Sequence, residues 1–333
     1  MASATNMGTT VNANRMSNTS IDNGISLSGV VAAVPTPVRD GRPYHANLER
    51  HVQQLAVDGC DGILLLGTTG EGPSFSLDER ASLIEAGCEF AGDLKVMAGT
   101  GCASLPDTIW LTRRAFEIGV AAVVVIPPFY FKGVSDEGLL VYYRTLLDEA
   151  VPDDGHLILY HIPQMTGVPI SFGLIEKLLA LGDKRVAGIK DSSGNLDHTR
   201  ALCQRFPDLA VFVGDDKLLY QGLQFGAAGC IAAGVNLLAP LAADVYRVFH
   251  DGKSADEYQE RLTAARLILD EYKPFPASVK GMLSVRYGTV GWEVRPPLTS
   301  LPEEELKNMG RELWALELPQ QYFRWLYGAH KTT

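Results

Sequence analysis

The sequence predicts an α/β fold, a (β/α)8 TIM barrel with a C-terminal helical extension, and three observations carry that reading. Eight short apolar runs rich in β-branched residues recur from Gly29 onward, each closed by a Gly, Pro, Thr or Asp cluster and followed by a segment of helical period. Their start-to-start spacings, between 19 and 35 residues, leave room for a strand and a crossover helix in each unit. The runs lack apolar–polar alternation, so both faces of the sheet are covered, as in a parallel sheet.

The first run begins at Gly29 and ends in Val34-Pro35-Thr36-Pro37, where an open dinucleotide-binding sheet needs Gly-x-Gly-x-x-Gly. A closed barrel is therefore preferred to an open doubly wound sheet. The other runs start near Gly62, Leu94, Ala121, His156, Val186, Ala210 and Gly229. Leu48, Val52 and Leu55 share one helical face before Gly59, a C-terminal glycine signal, and Ser76-Leu77-Asp78-Glu79 reads as a capping box. The eighth helix is expected near 242–249, and further helical patterns at 256–272 and 277–287 form the extension. The expected division is a disordered tail at 1–28, the barrel at 29–251 and the extension at 252–333.

Composition narrows the function. Apolar residues make up 46% and charged residues 20%, ordinary for a folded globular chain. The net charge of −10, with no run of Lys or Arg, argues against nucleic acid as a partner. Apolar runs such as 120–126 are far shorter than the roughly 18 residues a membrane span needs, so no membrane association is expected. Five cysteines at irregular spacings, without a Cys-x-x-Cys pair, read as reduced thiols in a reducing, cytoplasmic compartment. The tail, rich in Asn, Ser and Thr, fits neither a secretory signal nor a transit peptide.

In this fold the chemistry gathers where strands end, so the eight run ends are read as one mouth. Lys190 closes the sixth run. Burial of a strand-end ammonium favours the neutral, nucleophilic amine that Schiff-base chemistry needs; the alternative is a side chain that snorkels to solvent or pairs with Asp191. Tyr160, closing the fifth run one strand away, is either a proton relay or a core aromatic. Thr68 and Thr69, between Gly67 and Gly70, offer hydroxyls and N–H groups to a small carboxylate, or form only a tight turn. Gly70 in the same turn, with Gly214 and Ile231 at the seventh and eighth runs, joins them as a substrate-binding candidate. Asp215 and Asp216 suggest a divalent cation but read better as loop caps, and the seven His residues show no ligand spacing; no metal and no cofactor are expected.

Gly67-Thr68-Thr69-Gly70-Glu71, Tyr160-His161-Ile162-Pro163 and Gly188-Ile189-Lys190-Asp191-Ser192-Ser193-Gly194, in this order and spacing, resemble the dihydrodipicolinate synthase / N-acetylneuraminate lyase superfamily. Gly214-Asp215-Asp216 and Pro274-Phe275-Pro276 with Lys280 are similar to it as well. The resemblance implies a class I aldolase, usually a homotetramer. Lys190 then forms an imine with pyruvate, Tyr160 relays protons, Thr68 and Thr69 bind the pyruvate carboxylate, and Tyr130 enters from a neighbouring subunit. Two departures stand out. Met165 occupies the place of an arginine that, in the lysine-pathway synthases, grips the second substrate's carboxylate, and Gly72, Pro73, Leu77 and Arg80 replace the residues of the lysine-feedback site.

The resulting expectation is a pyruvate-forming or pyruvate-using lyase acting on a 2-oxo acid with an aldehyde partner. Alternatives are dihydrodipicolinate synthase itself, a keto-deoxy sugar acid dehydratase using the same imine, a metal-dependent aldolase, and a silent barrel that only binds pyruvate or a sugar acid.

Overall fold

The computed structural model describes residues 27–320 and 322. Eight parallel strands close into a barrel: β1 (Gly29–Ala33), β2 (Gly62–Leu65), β3 (Lys95–Gly99), β4 (Ala122–Val125), β5 (Leu157–His161), β6 (Val186–Asp191), β7 (Ala210–Val213) and β8 (Gly229–Ala232). Each pairs with its sequence neighbours, and β8 closes on β1 with Val31 opposite Ile231. The uniform apolarity of the runs has the expected cause. Along β1, Val31 and Ala33 point into the barrel with Leu64, Met97, Ile158 and Phe212, while Val30 and Ala32 face the surrounding helices.

The barrel helices are α1 (His45–Val57), α2 (Leu77–Phe90), α3 (Leu105–Ile118), α4 (Asp136–Ala150), α5 (Phe172–Ala180), α6 (Leu196–Arg205), α7 (Leu219–Gln224) and α8 (Val235–His250). The capping box of α2 is present on both sides: Glu79 N–H donates to Ser76 Oγ, and Ser76 N–H to the Glu79 carboxylate. Ser104, Ser135, Ser171 and Asn195 cap α3 to α6 by their side chains alone, each accepting a first-turn backbone N–H. Three further helices, α9 (Asp256–Glu271), α10 (Phe275–Tyr287) and α11 (Glu303–Ala315), form the extension.

Helix α8 starts at Val235, well before the expected 242, and Pro240 is the reason. A proline inside a helix usually marks a boundary, because it removes one N–H and leaves the carbonyl four residues back unpaired. Here that carbonyl, of Asn236, receives Arg286 Nη1 at 3.4 Å, so the helix continues through the proline. The disordered tail expected at 1–28 lies outside the described residues up to 26. Leu27, within the expected tail, is buried in the inner core.

Candidate active site

Tyr160 and Lys190 are register partners across β5 and β6, so both side chains point into the barrel from adjacent strands. Neither end is solvated: Lys190 is 3% exposed and Tyr160 4%. The ammonium of Lys190 lies over the phenol ring, 4.1 Å from its centre. Thr68, carried by the loop after β2, places its hydroxyl 3.2 Å from the Tyr160 hydroxyl. Burial pushes the Tyr160 phenol up, but the Lys190 ammonium and the hydrogen bonds of Thr68, Lys190 and Ser192 outweigh it, leaving the phenol below its ordinary value. A phenol so placed gives and takes protons more readily at neutral pH, beside an amine with which it shares a wall.

The loop that carries Thr68 is held tightly. Leu66 and Glu71 both adopt left-handed conformations, φ +57 and +53, at its two ends. Such φ values cost a non-glycine residue of order 1–3 kcal/mol and persist only where the surroundings fix them. Glu71 is fixed by an ion pair with Lys280 of α10, and its Oε2 accepts the Arg295 N–H at 2.9 Å. Thr69 is buried within this turn, and the Gly70 carbonyl accepts the Thr36 hydroxyl at 2.7 Å.

On the opposite side, Gly214 N–H donates to the Asp191 carbonyl at 2.7 Å, and a Cβ at Gly214 would stand 1.9 Å from Ser192 Oγ. Glycine there is a requirement of close approach beside the lysine strand. Ile231 is fully buried in the inner core with Tyr160, beneath the mouth. Asp215 caps the turn after β7 by accepting the Lys217 N–H, whereas Asp216, expected to be a loop cap as well, is instead buried in an ion pair with Arg266 of α9.

Two expected site residues are not brought to Lys190 within this chain. Tyr130 is 74% exposed and stacks edge-on against exposed Phe131, with no hydrogen-bond partner for its hydroxyl among the described residues. Met165 is 64% exposed on a one-turn helix, Pro163–Thr166. Both side chains stand exposed at the barrel rim among the described residues. Between them lies Lys132, whose ammonium donates to the carbonyls of Phe129 and Thr166. Gln164 donates to the Ser192 carbonyl at 2.6 Å.

Behind the strands the structure holds a group that sequence reading missed. His161 and Asp191, the residues after Tyr160 and Lys190, meet His198 of α6. The three offer donor atoms within 4.8 Å of one another, the proximity of a metal site. Their orientation does not suit one. The two imidazoles are stacked, 4.6 Å apart and 19° from parallel, so their in-plane lone pairs do not converge. His161 Nδ1 accepts the Ile170 N–H at 3.1 Å, and the Asp191 carboxylate takes hydrogen bonds from His198, Thr199 and Ser193. The signal for this group was present as a strand-end Asp seven residues before a His, but its meaning depends on α6 crossing both strands.

These buried histidines predict a pH dependence of stability. Burial, with the neighbouring His198, pulls His161 down to about 4, against an upward pull from Asp191. Burial likewise pulls His51 down to about 3, where its ring nitrogens are held by Asn236 and Tyr287, each at 2.9 Å. Both are lowered, so between about pH 6.5 and 4 the unfolded chain binds more protons than the native one and stability falls with pH. By pH 5 the loss is expected to be about 2 kcal/mol for each histidine relative to pH 7. Urea unfolding at pH 7 and pH 5 measures it, and a flat profile contradicts it.

A closed barrel with a buried lysine at a strand end, and its hydrogen-bonding partners gathered on the same face, is a (β/α)8 barrel enzyme of the lyase class. A sequence model of the dihydrodipicolinate synthetase family matches residues 26–316, and the chain belongs to that family. A DapA-like lyase of Chloroflexus aurantiacus, itself uncharacterised, is 41% identical over 280 residues, which are 84% of this chain and 93% of the relative. The 4-hydroxy-tetrahydrodipicolinate synthase of Endomicrobium trichonymphae is 31% identical, over 85% of this chain and 99% of its own. Among solved structures, YagE, a prophage protein of this family from E. coli K12 in complex with pyruvate, superposes with a TM-score of 0.82 at 25% identity. The match covers 88% of this chain and 99% of YagE. No helix of the described residues is long and apolar enough to cross a membrane.

Proposed function

We propose that this lyase is a class I aldolase in which Lys190 forms an imine with the C2 carbonyl of pyruvate, making or cleaving a carbon–carbon bond of a 2-oxo acid. The observation that carries the reading is the buried pair of Lys190 and Tyr160 in register, with the Thr68 hydroxyl on the phenol. The pyruvate bound in the YagE structure supports it. The lysine amine adds to C2, the carbinolamine loses water, and Tyr160 with Thr68 moves the protons in both steps. Loss of a C3 proton gives an enamine that attacks the aldehyde carbon; water then releases the product and restores the amine. Thr68 and Thr69, with the Gly70 turn, take the pyruvate carboxylate.

Gly214 and Ile231 wall the opposite side and the floor. The exposed Tyr130 and Phe131 support a homotetramer in which Tyr130 enters a neighbour's mouth, and the five free thiols support a cytoplasmic setting. The barrel at 29–251 and the extension at 252–333 are proposed to work as one unit.

The second substrate is inferred to be a hydroxylated aldehyde, not aspartate semialdehyde. Met165 has no charge for a second carboxylate, Gln164 offers a neutral amide, and the Lys132 ammonium is already held by two carbonyls. A charge-assisted contact contributes about 1.5–3 kcal/mol, so its loss weakens selection of an anionic aldehyde roughly 10- to 100-fold. The test sets kcat/KM for pyruvate with aspartate semialdehyde beside cleavage of 4-hydroxy-2-oxo acids and keto-deoxy sugar acids. Cleavage is expected to be faster, and Met165→Arg is expected to raise the semialdehyde reaction selectively. A wild type fastest with the semialdehyde contradicts the inference.

A further inference from the structure

The pair formed by Glu71 and Lys280 is the most deeply buried ion pair among those described, with both side chains at most 1% exposed. Burial of two charges is costly, and hydrophobic replacements of similar volume are often as stable or more so. Such a pair is therefore poorly explained by stability alone. Its position suggests another role. Glu71 is the last residue of the turn whose second and third residues are Thr68 and Thr69, and its N–H donates to the Thr68 carbonyl at 3.1 Å.

Among the described residues, both partners of the Glu71 carboxylate come from the C-terminal part of the chain. Lys280 lies on α10 and also donates to the Glu293 carbonyl at 2.7 Å, which ties it to the segment that follows. Two residues on, Arg295 N–H donates to Glu71 Oε2. The Arg295 guanidinium reaches the Ser74 carbonyl at 2.9 Å and the Glu79 carboxylate at 2.6 and 2.8 Å, gripping the start of α2 just beyond the turn. The left-handed Glu71 is thus held by a side chain and a main chain that both belong to the extension.

We propose that Glu71 and Lys280 are positioning residues for the 2-oxo acid, through which the C-terminal extension sets the geometry of the carboxylate-binding turn. The inference rests on the reading of Thr68 and Thr69 as the carboxylate site. Neither Glu71 nor Lys280 touches the substrate; they hold the backbone whose N–H groups and hydroxyls do. An uncompensated carboxylate–donor misalignment of this kind weakens binding by roughly 10- to 100-fold.

Pyruvate affinity is measured by calorimetry for the wild type, Glu71→Gln, Lys280→Met and the double variant Glu71→Leu/Lys280→Met, alongside thermal melts and steady-state kinetics. Borohydride trapping of pyruvate is carried out on the wild type. Glu71→Gln is expected to weaken pyruvate binding by about 10-fold or more. The double variant, which leaves no unpaired charge, is expected to recover the melting temperature without recovering pyruvate affinity. A purely structural pair would give recovery of both, and that result overturns the proposal. So does a Glu71→Gln affinity within twofold of wild type. A wild type that binds pyruvate but traps none of it overturns the imine reading alone, because the calorimetric comparison does not require an imine.

Discussion

Alanine at position 190 is expected to leave a folded barrel whose turnover is lower by about 10⁴-fold or more, the scale on which loss of a covalent nucleophile is felt. Two effects coincide. The nucleophile itself is lost, and so is the cation over the Tyr160 ring that, against burial, holds the phenol below its ordinary value. With the ammonium gone, burial prevails and the phenol rises, so the remaining acid–base pair is mistuned as well. Because the two groups act as one unit, adding Tyr160→Phe to Lys190→Ala is expected to cost little more. Two measurements check this. Borohydride with pyruvate marks Lys190 in the wild type, located by peptide mass spectrometry, and NMR follows exchange of the pyruvate C3 protons with solvent. Exchange that survives in the alanine variant would sink the imine mechanism.

Arg266→Met is expected to destabilise the protein by about 3–5 kcal/mol, the usual cost of removing one partner from a buried ion pair. Arg266 lies on α9 and meets Asp216, whose side chain is fully buried, together with Asp215 at 3.6 Å and Asp270 at 2.9 Å. Lys217 remains for Asp215 and Asp270, but not for Asp216. Burial already pushes the Asp216 carboxyl up, and Arg266 is the main influence that draws it down. Without the arginine the native carboxyl titrates further above the unfolded value and the native state binds the extra proton. The deficit therefore grows as pH rises through that window and shrinks on acidification. Urea unfolding at neutral and mildly acidic pH measures both magnitude and sign. A loss under about 1 kcal/mol would show that Asp216 finds another partner or water.

The barrel was legible because its evidence is periodic and local: each apolar run, glycine stop and Ser cap announces itself within a dozen residues. That Lys190, Tyr160 and Thr68 come together was legible for a related reason, since strand ends in this fold share one face. Three features were hidden. The start of α8 lies under Pro240, whose cost is met by Arg286 from a distant helix. Helix α11 buries only Met309 and Leu313, too narrow a stripe to read against its charged surface. The pairing of Glu71 with Lys280, and the stack of His161 on His198, join residues whose separation in sequence carries no period; only the closed fold brings them together.

The rim of this barrel is unevenly anchored, and that asymmetry bears on how its chemistry diversifies. Loops after β2 and β7 are tied to the extension through Lys280, Arg295 and Arg266. The loops after β4 and β5, bearing exposed Tyr130, Phe131 and Met165, are joined to each other through Lys132 and to the loop after β6 through Gln164. The turn proposed to hold pyruvate is thus resistant to drift, because a change there disturbs helices far along the chain. The exposed side chains proposed to face the aldehyde are freer to vary, at small cost to the scaffold. Exposed Phe131 and Met165, rather than buried Thr166 or the helix cap Ser135, are accordingly where selection, natural or in the laboratory, has room to install a new partner.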